Sequence, residues 1–155
     1  MKEATLLFPH QLFEDIGNLQ KNIPVYMVEE SLFFKQYNFH KQKLVFHRAS
    51  MTCYEDYLKH NGFNVRYVET HDSCSDVRFL IEKLIMNDVQ KLHIIDPTDN
   101  WLSKRIQQAA TTIDIHWLDS PLFLNTPEDL AYFFKDNKKK FYQTQEKNST
   151  FNCVS

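Results

Sequence analysis

Five short apolar runs alternate along this chain with longer segments whose apolar residues recur at helical spacing, and that alternation constrains the fold more than any other feature. The runs are "ATLLF" (Ala4–Phe8), "PVYMVEE" (Pro24–Glu30), "NVRYVET" (Asn64–Thr70), "KLHIID" (Lys91–Asp96) and "IDIHWLD" (Ile113–Asp119). Pro9 ends the first and Pro97 the fourth. Strands that read as nearly unbroken apolar runs are covered on both faces, as in a parallel sheet between layers of helix. The expectation is an α/β domain with an open five-stranded parallel sheet.

The intervening segments carry helix signals. In "YNFHKQKLVFHRASMTCYEDYLKHNG" (Tyr37–Gly62), Leu44, Met51, Tyr54 and Leu58 form an apolar stripe. Asn38 is a plausible N-cap there, and Gly62 stands where a left-handed residue would close the helix. "SDVRFLIEKLIMND" (Ser75–Asp88) repeats apolar residues at Val77, Leu80, Ile81, Leu84 and Ile85. "NWLSKRIQQAATT" (Asn100–Thr112) is the next helix, with Asp99 a natural cap. A last helix is expected from Thr126, followed by Pro127, Glu128 and Asp129. The ordered domain is therefore placed at 1–134. Residues 135–155, polar and basic, read as a tail or the start of a linker.

Composition narrows the function classes. A chain of 155 residues suits one domain, and 43% hydrophobic with 25% charged residues is a globular balance. The net charge of −2 provides no global attraction to nucleic acid or anionic lipid, so such binding would need a local patch. No apolar stretch is long enough to cross a membrane, and Ala4–Phe8 is too short for the centre of a signal peptide. A cytoplasmic location is the default. Cys53, Cys74 and Cys153 are odd in number and widely spaced, which supports free thiols over a zinc site or disulfide framework. Gly17 and Gly62 are the only glycines, so neither a G-x-G-x-x-G fingerprint nor a Walker A loop can be present.

In open α/β sheets, ligands bind beyond the carboxyl ends of the strands, where strand order reverses. That rule selects Pro9–Leu12, Glu29–Phe34 and Asp96–Trp101, which offer an imidazole, an amide, carboxylates and aromatic faces suited to a flat heterocycle. Taken singly, each is ordinary: His10 and Gln11 could form a solvated turn, Glu29 and Glu30 could be exposed acids, and Trp101 is more often core. His40 and His47 are seven positions apart, about 10.5 Å along a helix, too far to share a metal. His93 and His116, inside strand patterns, read as satisfied core histidines. No catalytic residue and no metal ligand are assigned. The helix after the second strand has its charges reversed, with His40, Lys41, Lys43, His47 and Arg48 early, and Glu55 and Asp56 late. Glu29 and Glu30 are the most economical partners for that positive charge.

"LLFPHQLFEDI" (Leu6–Ile16), the stretch Val25–Leu58, "GFNVRYVE" (Gly62–Glu69) and "KLHIIDPTDNWLSKRI" (Lys91–Ile106) together resemble the N-terminal domain of deoxyribodipyrimidine photolyase-related proteins. These are bacterial iron–sulfur members of the photolyase–cryptochrome superfamily. The resemblance runs to about Phe134. It implies a Rossmann-like three-layer sandwich acting as an antenna domain, followed in the family by a helical domain that holds FAD, the cluster and the DNA lesion. Those flavoproteins are lyases that use light for DNA repair of pyrimidine photoproducts. Relatives hold a ribityllumazine antenna pigment at the exits of strands one and two. Here those positions are Phe8, Pro9, His10, Gln11 and Leu12, then Glu29, Glu30, Leu32 and Phe33, with His40, Lys41 and Lys43 supporting them from behind. Many relatives have Gly-Asp-Gln-Leu where this chain has Pro9-His10-Gln11-Leu12.

On this resemblance, the FAD pocket, the four cluster cysteines and most DNA contacts belong to the C-terminal partner domain, and photorepair by these 155 residues alone is not expected. Two other readings stand beside it. One is a nucleotide-binding α/β domain, which the lack of a glycine-rich phosphate loop disfavours. The other is a structural docking module, which would expose an apolar patch and self-associate. Direct nucleic-acid contact through His40, Lys41, Lys43, Arg48 and Lys138–Lys140 would have to weaken steeply with salt.

Overall fold

A computed structural model of the chain describes residues 2–123, residue 129 and residues 131–133. Five strands, β1 (Lys2–Leu7), β2 (Val25–Val28), β3 (Val65–Val68), β4 (Val89–Ile95) and β5 (Asp114–Leu118), form one sheet in the order β3-β2-β1-β4-β5. Every pairing is parallel, with Leu6 opposite Tyr26 on one side and Ile94 on the other. The expected open, parallel, five-stranded α/β sheet is therefore present. Strand order reverses between β1 and β4, which makes their carboxyl ends the switch point.

The pleat sorts the apolar runs into two cores. Ala4, Leu6, Val28, Leu92 and Ile94 face one layer, where helices α3 (Val77–Met86) and α4 (Asn100–Ala109) contribute Val77, Leu80, Ile81, Leu84, Leu102 and Ile106. Leu7, Val25, Met27 and Ile95 face the other, against Met51 and Leu58 of α2 (Lys41–His60). The expected stripes of α2 and α3 are these buried faces. The connection from β1 to β2 contains no helix. Leu19 and Ile23 anchor it, and Tyr54 and Tyr57 of α2 donate to the Phe13 and Glu14 carbonyls at 2.8 and 3.2 Å. A loop thus completes the layer that α2 begins.

Element ends show which local signals held. Asp99 caps α4, accepting from Leu102 N–H at 2.9 Å. A 3-10 turn at Ser73–Ser75 occupies the start of the expected 75–88 helix, and Asp76 caps the α-helix proper. A four-residue helix α1 (Ser31–Phe34) lies where only a loop was expected. Asn38 does not cap α2. His40 does, its Nδ1 accepting from Gln42 N–H at 3.3 Å, because the chain turns helical two residues later than the asparagine would require.

Gly62 ends α2 as anticipated, at φ +85°, with its N–H on Lys59 and the Phe63 N–H on Leu58. Phe63 and Leu58 share the second core, which adds the apolar contact of that capping motif. An added Cβ at Gly62 would meet nothing within 4 Å, so only backbone conformation opposes it. Gly62→Ala is expected to lower stability by about 1–2 kcal/mol in urea unfolding. An unchanged midpoint would mean that the turn relaxes without penalty.

The chain divides into a unit ending at Ser120 and a second from Pro121. In the second, Asp129 and Ala131–Phe133 are helical, while the expected cap at Thr126 and the boundary at 134 lie outside the described residues. Among the described residues no helix is long and apolar enough to cross a membrane.

Candidate functional site

At the switch point, the turn after β1 is stitched to the exit of β4. Gln11, 1% exposed, accepts from the Phe8 N–H through Oε1 at 3.2 Å and donates Nε2–H to the Ile95 carbonyl at 2.7 Å. Its amide fills the gap left where β1 and β4 part. Pro9 is buried beside it, and Leu12 packs on the α2-side core. These residues form no solvated turn.

The His10 ring lies near two others. Its imidazole stacks on Phe8 (6.4 Å between centroids, 13° between planes) and tilts against Phe33 (5.2 Å, 55°). Its Nε2 lies 2.9 Å from the Pro97 carbonyl, which can only accept, so Nε2 carries the proton. Burial holds the imidazole below its ordinary pKa, against the opposing pull of that carbonyl and of Asp99. The ring is therefore neutral at pH 7, and Nδ1 is a lone pair. That Nδ1 is buried with no hydrogen-bond partner among the described residues.

Glu29 and Glu30 leave β2 fully buried, contrary to an exposed-loop reading. Arg48 of α2 grips Glu29 with two parallel bonds, Nε to Oε1 at 2.7 Å and Nη2 to Oε2 at 2.6 Å. Tyr67 Oη–H and Thr70 N–H donate to the same carboxylate at 2.9 and 2.8 Å. Burial pushes this carboxyl up, but the Arg48, Thr70 and Tyr67 bonds together outweigh it and hold the pKa below normal. Glu30 is shifted the other way, because burial dominates its bonds from Val77 N–H (2.8 Å), Ser31 Oγ–H (3.0 Å) and Leu32 N–H (3.4 Å). It joins the first turns of α1 and α3, and Arg105 of α4 approaches it at 3.4 Å.

The reversed charges of α2 are thus only partly answered by these acids. Arg48 finds Glu29. Lys43 does not; its Nζ sits 4.0 Å from the Phe39 ring centroid instead. Lys41 and His40 are exposed, and Lys41 makes no salt bridge among the described residues. Of the basic residues early in α2, Arg48 alone is seen paired with Glu29 or Glu30 among the described residues. Leu32 is buried in the first core, and Phe33 touches both cores.

Because the Glu29 pKa is lowered, its contribution to stability exists above the ordinary carboxylate range and vanishes as pH falls through the folded value. The stability gap between wild type and Glu29→Gln should stay constant from neutrality to about pH 5 and narrow below it. Urea titrations across that range measure it. A gap indifferent to acid would show that Arg48 does not bind a charged carboxylate.

Two expectations for single residues fail. Trp101 is 72% exposed on the first turn of α4, not core. His93 is buried, with Nε2 2.6 Å from Glu3, but its neighbour His116, 3.2 Å away, is exposed on the edge strand β5. Among the described residues no three His, Cys, Asp or Glu side chains cluster as metal ligands. The Glu30–Arg105 contact and the donors Tyr67 and Thr70 could not be read from sequence, since they depend on which strands and helices become neighbours.

Residues 5–150 match the family described as deoxyribodipyrimidine photo-lyase-related protein. The chain is also 35% identical over 156 residues to an uncharacterized protein of Acanthamoeba polyphaga mimivirus. That match covers 92% of this chain and 78% of the viral one.

Proposed function

The chain belongs to the deoxyribodipyrimidine photo-lyase-related protein family, and we propose that it serves there as a module holding a flat heterocyclic antenna pigment of the ribityllumazine type. One observation carries this reading: the neutral His10 imidazole, beside the Phe8 and Phe33 rings at the switch point of the sheet, offers a buried Nδ1 lone pair with no partner among the described residues. A ring N–H or sugar hydroxyl supplies the missing donor, and aromatic faces suit a fused heterocycle. Gln11 and Pro9 hold the turn that presents His10. Glu29 and Glu30 act from inside, fixing the ends of β2, α1 and α3 through bonds to protein donors. When bound, such a pigment supplies light absorption, and transfer of that energy needs an acceptor. The acceptor is the FAD domain that the family resemblance implies, with its iron–sulfur cluster and its contacts to damaged DNA. Repair is the work of the two domains together.

Titration of ribityllumazine with the protein, followed by fluorescence polarisation, tests the site. Saturable binding weakened about tenfold by His10→Ala is expected, the worth of one hydrogen bond of about 1.4 kcal/mol. No saturable binding, or binding indifferent to His10→Ala, would sink the assignment. Selective stabilisation by AMP or ATP in a parallel thermal-shift series would favour a nucleotide site instead.

A further inference from the structure

Helix α2 has a second apolar face that nothing in the described residues covers. At about 100° per residue, the core-facing positions Leu44, Met51, Tyr54 and Leu58, of which Met51 and Leu58 are buried, lie opposite Ala49. Around Ala49, on the outward side, stand Gln42, Val45, Phe46, Thr52, Cys53 and Asp56. Val45 is 68% and Phe46 71% exposed, and Ala49 and Cys53 are exposed between the charged ends. A solvent face is ordinarily charged. This one is apolar through its middle, with spacing 45, 49, 53 that repeats every turn.

Charge says what fits there. From Ser31 to Tyr54 the chain has no Asp or Glu, although it is acidic overall. Arg48 is answered by Glu29, and Lys59 by Glu55 at 2.7 Å. Lys41 at one end of the outward face and Asp56 at the other form no salt bridge among the described residues. One face therefore carries a cation at its start and an acid at its end, neither in a salt bridge among the described residues, with apolar residues between. Its complement is the same face running the other way.

We propose that α2 is a self-docking surface, on which a second copy of this chain packs its own α2 antiparallel about a two-fold axis at Ala49. Val45 then meets Cys53 of the other copy, Ala49 meets Ala49, and Lys41 approaches Asp56 at both ends. The small alanine at the crossing lets the backbones come close, as helix packing requires at its nearest point. Antiparallel alignment also sets opposite helix dipole ends together. An isologous contact of one helix face per chain falls at the small end of stable interfaces, below about 1,200 Å², so the dimer is concentration-dependent. The surface lies on the outer side of α2, away from His10, and owes nothing to the pigment reading.

Sedimentation from dilute to concentrated protein should show reversible dimerisation, and Phe46→Glu should abolish it without altering the thermal midpoint. Lys41→Glu should weaken the dimer roughly tenfold or more, and adding Asp56→Lys in the same chain should restore it. In a Cys53→Ser, Cys153→Ser background, Ala49→Cys should form an intermolecular disulfide readily, while Gln42→Cys should not. A chain that stays monomeric at every concentration overturns the proposal. So does a dimer indifferent to Phe46→Glu, which would place the contact elsewhere, or faster cross-linking at Gln42→Cys, which would make the helices parallel.

Discussion

Arg48→Met should lower the stability of this domain by about 3 kcal/mol, the lower end of what breaking a buried ion pair costs. The expectation follows from asymmetry within the pair. Glu29 is wholly buried and Arg48 about half exposed, so removing the guanidinium strands a carboxylate that cannot reach water. Tyr67 and Thr70 still donate to it, but neither carries charge. Glu29→Leu should also destabilise, for a different reason: Arg48 is released to solvent, while the Tyr67 hydroxyl and Thr70 N–H lose their acceptor. The double variant should then be more stable than the two separate losses predict, with a coupling above about 1 kcal/mol. Urea unfolding of the four proteins measures all of this. A loss under about 0.5 kcal/mol for Arg48→Met, the range of ordinary surface substitutions, would mean that the clamp is only a rim contact.

Phe8→Ala should be at least as damaging, at about 3–5 kcal/mol. Phe8 is completely buried at the end of β1, in the core shared with α3 and α4. Its backbone N–H donates to Gln11 Oε1, and its ring lies nearly parallel to that of His10. The substitution therefore removes packing in the core and lets the imidazole tilt, so any affinity for a flat ligand should fall with stability. Phe33→Ala separates the two effects, because Phe33 is only half-buried and its ring also lies near His10. A loss below about 1.5 kcal/mol for Phe8→Ala would show that neighbouring side chains collapse into the space.

The sheet was legible because the strands are short, largely apolar runs and each helix carries an apolar stripe at spacings of three and four, so length and period separate them. The cap at Gly62 was legible because few residues other than glycine tolerate that backbone angle. His40 as a cap was not, since imidazoles seldom serve there and Asn38 gave the stronger signal. That Glu29 would meet a cation from α2 could be anticipated, because the two segments adjoin in sequence. Which cation could not. Lys43 is closer along the chain, but the helix carries Arg48 to the carboxylate and leaves Lys43 above Phe39. Tyr67, Thr70, Val77 and Arg105 reach the two glutamates only through the order β3-β2-β1 and the packing of α3 and α4, which no local pattern encodes.

That order also governs when the candidate site can exist during folding. β1, β2 and β3 are consecutive neighbours and can pair as soon as each has formed, with α2 closing over them. β4 must then return past both to the far side of β1, a pairing whose loop-closure entropy is larger and whose formation is correspondingly slow. The bonds that shape the site, His10 to Pro97 and Gln11 to Ile95, span 87 and 84 residues and belong to that late step. A chain stalled with three strands paired has two good layers of structure and no imidazole cradle. Capture of the proposed ligand at His10 would therefore report complete topology, and such a pigment, added during refolding, would act only after β4 has paired with β1, as a latch on the finished fold.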